Sequence, residues 1–259
     1  MNKIKSSLLM LSALVASMIL SSCEMGDGTN KFSKTGIFTV ENDGTGYTLY
    51  ADYGGVIRPN ANSVSELTSG KGFKSGDRVY LLYSYTDDNI KTMPGSGAYI
   101  DNVELLQGQQ IPIENILTQD KALAGNLLEK DSVFSFANNV TSLQLGAYRG
   151  FLTATYNGRY SVVSGKGVGP NLYLVYNPAE NDRPNALKLT AVYNRHTASD
   201  VQASSQAFIT SYSLSPLRGV IQGRDSIEVT IDGLGFTKPL TAKIGREDLT
   251  TGNYIYYKL

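Results

Sequence analysis

Residues 36–52 read GIFTVENDGTGYTLYAD, and this stretch decides the fold class. Two β-prone runs, GIFTVE (36–41) and GYTLYAD (46–52), flank Asn42-Asp43-Gly44-Thr45-Gly46. An Asp-Gly pair between such runs is a strong hairpin signal, because tight hairpin turns need positive φ and Gly adopts it without steric cost. The same rhythm continues downstream. VIRP (56–59) is followed by a Ser/Gly-rich loop through Gly76 and then by DRVYLLYSYT (77–86). In that run Val79, Leu81, Tyr83 and Tyr85 share one face, while Tyr80 and Leu82 make the other face apolar too. AYIDNVELL (98–106) closes the group. Five short strands in about 75 residues suit a small coiled barrel of the OB type over residues 35–110, a strand pattern that a short sandwich would share.

IPIENILTQDKALAGNLLEKD (111–131) breaks the β rhythm. Ile113, Ile116, Leu117, Leu123 and Leu127 approximate one helical face, but Gly125 and Asn126 interrupt it, so the segment reads as a linker with at most a short helix. A second strand series follows over 132–259. Its candidates are 132–136, 142–148, 150–157, 172–177, 186–194, 207–214, 225–232 and 253–259. The clearest, DSIEVTID (225–232), puts Ile227, Val229 and Ile231 inward. Strands at this spacing predict an antiparallel β-sandwich. The expected fold is therefore all-β, a composition rich in Tyr (17) and Gly (26) agreeing with it.

The chain begins MNKIKSSLLMLSALVASMILSSC, with Lys3 and Lys5 ahead of an uncharged apolar run from Leu8 to Leu20. The run is shorter than the roughly 20 residues a spanning helix needs, so residues 1–22 read as a secretory signal peptide. Leu20-Ser21-Ser22-Cys23 resembles a bacterial lipobox, in which the cysteine is acylated and becomes the new N-terminus. Cys23 is the only cysteine, so acylation leaves no thiol for disulfides, metal sites or nucleophilic catalysis. Acyl chains on Cys23 make the membrane the first expected partner, and residues 23–34 read as a flexible tether. Glu24 and Asp27 are too few to decide between the periplasmic and surface faces of an outer membrane.

After removal of the signal the chain carries 21 basic and 23 acidic residues. No block of like charge runs along it, which argues against a nucleic-acid partner, whose phosphates call for clustered Lys and Arg. His196 is the single histidine and lies beside Asp200 in NRHTASD (194–200), but no G-x-S-x-G elbow supplies a nucleophile, and an exposed loop histidine is the better reading. SGKGFKSGD (69–77) and SGKGVGP (164–170) do not match a phosphate-binding loop and read as turns. Asp87-Asp88-Asn89 lacks the ligand spacing of a calcium loop. Most tyrosines, among them Tyr80, Tyr83, Tyr85, Tyr173, Tyr176, Tyr254, Tyr256 and Tyr257, read as core or sheet-face residues. No catalytic residues, cofactor or metal are expected. Asp131-Ser132-Val133 and Asp225-Ser226-Ile227 resemble the Asp-Ser/Thr-apolar acceptor of bacterial O-glycosylation, although a polar residue leading into a strand accounts for each.

The layout resembles the NigD-like lipoproteins of Bacteroidetes envelopes. The likeness is carried by Cys23, GYTLYADYGGVIRP (46–59), FKSGDRVYLLYSYTD (73–87), AYIDNVELL (98–106), IPIENILTQD (111–120), KLTAVYNRH (188–196) and DSIEVTI (225–231). The resemblance implies an N-terminal OB-like domain, a C-terminal β-sandwich and no catalytic signature. The family's name comes from a gene beside a bacteriocin determinant, which suggests an immunity or accessory role. The expectation is a non-enzymatic, lipid-anchored binding module whose partner is an envelope protein or a glycan. A glycan-binding or glycan-processing accessory is the alternative.

Overall fold

The computed structural model describes residues 30–52, 54–93, 97–124, 140–163, 166–168, 171–180, 185–194, 202–224, 226–231 and 240–243. They fall into two compact units divided between Pro112 and Ile113. Strands dominate both, as the all-β reading requires.

The first unit contains β1 (Lys31–Asn42), β2 (Tyr47–Ala51), β3 (Val56–Pro59), α1 (Ala61–Leu67), β4 (Arg78–Thr86), β5 (Ile90–Met93) and β6 (Gly97–Gln110). β1 pairs antiparallel with β2 and β4, β4 with β6, and β3 parallel with β6. That last pairing closes a five-stranded barrel, with β5 added as a hairpin on β6. A helix between the third and fourth barrel strands completes the OB-type arrangement.

Each of the five strands read from the sequence is present. The quoted hairpin pairs Asn42 with Tyr47, and Asp43 holds its turn by accepting from the Thr45 amide (2.8 Å), the Thr45 hydroxyl (2.7 Å) and the Gly46 amide (3.0 Å). The Thr45 hydroxyl, followed by the two amides, keeps the Asp43 carboxyl below the usual carboxylate range. β1 starts at Lys31, inside the segment read as tether.

The Ser/Gly-rich loop reading missed α1. Asn60 caps this helix, its side-chain oxygen accepting from the Ser63 amide at 2.8 Å, and Val64 and Leu67 reach the barrel core three residues apart. An N-cap followed by an i, i+3 apolar pair is the relevant cue, but two apolar residues in seven are too few to reveal a period. The helix packs close to β6. A Cβ on Gly108 would stand 2.6 Å from Leu81 Cδ2 and 2.8 Å from Leu67 Cδ2, so any larger residue there makes both leucines shift.

Phe38, Val40, Leu49, Ile57, Val79, Leu81 and Val103 fill the barrel, as the alternation in β1 and β4 predicts. The opposite face of β4 is also covered, because Arg78 is fully buried and Tyr80 nearly so. Arg78 lies opposite Thr39 and forms a two-pronged ion pair with Asp52. Nη1 donates to Asp52 Oδ1 at 2.6 Å and to Thr39 Oγ1 at 2.7 Å, and Nη2 donates to Asp52 Oδ2. Two buried charges are tolerated only when paired and hydrogen-bonded, and here the forked guanidinium meets both carboxylate oxygens.

The second unit begins inside the segment read as a linker. It holds β7 (Ile113–Asn115), β8 (Leu117–Thr118), α2 (Gln119–Ala124), β9 (Val140–Tyr148), β10 (Phe151–Val163), β11 (Lys166–Val168) and β12 (Asn171–Tyr176). β13 (Ala186–Asn194), β14 (Gln202–Ser213), α3 (Arg218–Ile221), β15 (Ser226–Ile231) and β16 (Leu240–Lys243) follow. One sheet joins β7, β14 and β10, with β9 and β11 both pairing β10. The other runs β16-β15-β13-β12-β8.

Consecutive hairpins are antiparallel, but β7 with β14, β8 with β12 and β13 with β15 run parallel, so both sheets are mixed. The reading of 111–131 as linker followed local periodicity. β7 and β8 are only three and two residues long, and each is held by one distant strand, β14 and β12 respectively. α2 lays Ala122 over Val175 and Val192 on the outer face of the second sheet.

Leu152, Ala154 and Tyr156 of β10 face Leu172 and Leu174 of β12, Leu187 and Leu189 of β13 and Ile227 and Val229 of β15 across one core. The inward set read in β15 holds at Ile227 and Val229. β9 and β10 are joined by Arg149-Gly150, both at positive φ (49° and 81°), the geometry of a two-residue hairpin turn. The buried Tyr212 hydroxyl donates to the Leu172 carbonyl, linking β14 in one sheet to β12 in the other.

Burial lifts Tyr156 to about 12 and Tyr212 well above the ordinary tyrosine value of about 10. Both stay neutral in the fold after an unfolded chain would ionise them. Their contribution is thus complete below pH about 10 and lost as pH rises through the folded values. Tyr156 alone accounts for about 3 kcal/mol over that window. Urea unfolding followed between about pH 9 and about pH 12 should show this loss, and Tyr156→Phe should flatten the slope; a pH-independent midpoint counts against the burial.

Candidate functional site

Alternation along the barrel strands leaves a defined outer face. Leu49 pairs with Ile57, and Ile57 with Ile100, all three turned to the core. The neighbours Tyr50, Arg58 and Tyr99 therefore lie on the other side of β2, β3 and β6. Arg58 is exposed and its guanidinium sits 4.7 Å from the Tyr99 ring centroid. Such a stack fixes a long side chain that would otherwise lose entropy on binding, at about 0.5–1 kcal/mol in an exposed setting.

A second feature of the barrel is an open polar groove of about 480 Å³ between α1, the end of β4 and the first half of β6. Its floor is organised by Glu104. The carboxylate accepts from Ser84 Oγ at 3.1 Å, and Lys31 Nζ reaches the same oxygen at 3.1 Å. The Lys31 contact first, and then Ser84, holds the Glu104 carboxyl below the usual glutamate range, so it stays ionised at neutral pH.

One rim is the α1 segment, where the Asn60 side chain accepts from Ser63 and donates to the Val103 carbonyl at 3.2 Å. Asn62 and Glu66 stand exposed beside it. The other rim is the turn after β4, where Asn89 lines the groove and its Oδ1 accepts from the Thr86 amide (2.7 Å) and hydroxyl (3.0 Å). Asn102 lines the groove from β6 at a positive φ of 51°.

Of these residues sequence reasoning singled out Asn89 alone, as part of Asp87-Asp88-Asn89, and there it favoured a polar turn. Arg58 and Tyr99 are 41 positions apart, Lys31 and Glu104 are 73 apart. No local pattern links them; the closing β3–β6 pairing brings Arg58 to Tyr99, and the β1–β4–β6 ladder brings Lys31 to Glu104.

Of the residues the sequence did single out, Cys23, Ser132, His196, Tyr254, Tyr256 and Tyr257 lie outside the described residues. Ser226 opens β15 half-buried, in register with Ala186 and Lys243, and its hydroxyl reaches the Asn185 carbonyl at 3.5 Å. Asp87-Asp88-Asn89 forms a single 3₁₀ turn, and among the described residues no three His, Cys, Asp or Glu side chains gather as a metal site. Tyr80, Tyr83 and Tyr85 are buried, while Tyr173 and Tyr176 are half-buried sheet-face residues. No helix among the described residues is long and apolar enough to cross a membrane.

No protein-family model matches the chain, and no curated protein resembles it significantly in sequence. Solved structures do resemble it. A protein of unknown function from Bacteroides vulgatus is 17% identical, with 82% of this chain and 90% of that one covered at a TM-score of 0.50. A Bacteroides fragilis structure described as a "putative lipoprotein" is 14% identical, with 82% and 95% covered at 0.50. A NigD-like immunity protein from Bacteroides caccae is 14% identical, with 81% and 90% covered at 0.45. What the first two show is the fold, over nearly their whole length.

Proposed function

We propose that this chain is a lipid-anchored envelope protein that acts by binding a partner and not by turnover. The anchor is the acylated Cys23 on the outer membrane, and the partner is an envelope protein met by the barrel. One observation carries the reading. Arg58, exposed on β3, and Tyr99, on β6, form a pre-ordered cationic–aromatic pair on the outer face of the barrel, next to the second and third strands that OB barrels use for ligands. Arg and Tyr are over-represented among residues that dominate binding energy. An immunity or accessory role in a bacteriocin system is the specific form suggested by the NigD-like resemblance.

Crosslinking of the acylated protein in intact cells, followed by affinity capture and mass spectrometry, tests this. One dominant protein should be recovered, and the double change Arg58→Ala and Tyr99→Ala should reduce its recovery at least tenfold, as expected for paired hot-spot residues. Undiminished capture by that variant would move the interface off this face. Hydrolysis of a glycan, ester or peptide that a single side-chain change abolishes would end the non-enzymatic reading.

A further inference from the structure

We propose that the polar groove between α1, β4 and β6 is a binding site for a neutral saccharide. The inference rests on the envelope binding-module reading for its setting, but it uses none of the residues of the Arg58 face.

The groove's volume, about 480 Å³, lies within the range of ligand clefts. Its chemistry is selective. Asn62, Asn102 and the Asn89 amide offer donors, and the two amide oxygens of Asn62 and Asn102 together with Glu66 and Glu104 offer acceptors. A sugar hydroxyl both donates and accepts, so vicinal hydroxyls match a wall of amides and carboxylates. An apolar ligand would leave these groups unpaired, at a cost for each buried one.

Charge excludes anionic ligands. The one ammonium in the groove, Lys31, is engaged 3.1 Å from Glu104, and Glu66 adds a second carboxylate. A phosphate, a sulfate or an acidic sugar would meet net negative charge. The walls are also set in advance: Ser84, nearly fully buried, fixes Glu104, and the Thr86–Asn89 and Asn60–Ser63 hydrogen bonds fix the two rims. Glu104 and Asn89 are therefore ordered before a ligand arrives, whereas Asn62 and Glu66 would be ordered by it. Asn62 and Glu66 project from the exposed side of α1 and can be changed without disturbing its buried Val64.

The test applies the acylated full chain in detergent micelles to an array of neutral and acidic oligosaccharides, with hits measured by titration calorimetry. One or more neutral oligosaccharides should bind, with little dependence on salt. Asn62→Ala and Glu66→Ala should each weaken that binding about tenfold while leaving the thermal midpoint unchanged, and Arg58→Ala with Tyr99→Ala should leave it intact. No binding to any neutral glycan overturns the proposal. So does binding confined to acidic glycans, or binding indifferent to both groove substitutions. Failure of partner capture through the Arg58 face leaves these outcomes unaffected, so the two readings fail separately.

Discussion

Asp52→Ala lowers the stability of the barrel by about 3–5 kcal/mol, the range expected when one member of a buried ion pair is removed. Arg78 is fully buried, and its two nitrogens are committed to Asp52 and Thr39. Without the carboxylate the guanidinium keeps its charge, since arginine does not deprotonate in proteins, and water has no route to replace both lost bonds. The readout is hydrogen exchange of the β1 and β4 amides, which should accelerate on the order of a hundredfold or more if they open with the barrel. The companion change Asp52→Leu with Arg78→Met should recover most of the loss, because an apolar pair of similar volume replaces the charges without a desolvation penalty. A single substitution costing less than about 1 kcal/mol would mean that the pair is solvated.

Tyr212→Ala should cost the sandwich about 3–5 kcal/mol, the range for truncating a large buried aromatic side chain. Tyr212 is fully buried at the centre of the core, and its hydroxyl crosses to the Leu172 carbonyl on the facing sheet. Tyr212→Phe keeps the ring and removes only the hydrogen bond, so about 1 kcal/mol should be lost. Guanidinium unfolding of the two variants separates packing from bonding. Equal losses would assign the whole effect to the hydroxyl. A negligible loss in Tyr212→Ala would show that the site collapses around the missing ring.

Local pattern made much of the fold legible. The turn at Asp43-Gly44, the alternation of Val79, Leu81, Tyr83 and Tyr85, and the inward set of β15 are each written within ten residues, because side chains alternate across a strand with period two. What escaped was short or doubly buried. α1 shows one pair of large apolar residues, Val64 and Leu67, in about two turns, and β7 and β8 carry three and two residues with no alternation to read. Arg78 heads a strand whose charged residue reads as solvent-facing, yet the structure buries it because Asp52 is there to receive it.

By itself the sequence determined an all-β chain in two parts and most strands with the side each turns inward. These follow from composition and from the strand period of two residues, which chain neighbours set among themselves. The tertiary structure alone decided the barrel closure through β3 and β6, the mixed sheets, the Asp52–Arg78 pair, and the two candidate binding surfaces. Each depends on residues tens of positions apart, and only the burial of both partners in one folded unit makes their meeting favourable enough to offset the loop entropy it costs.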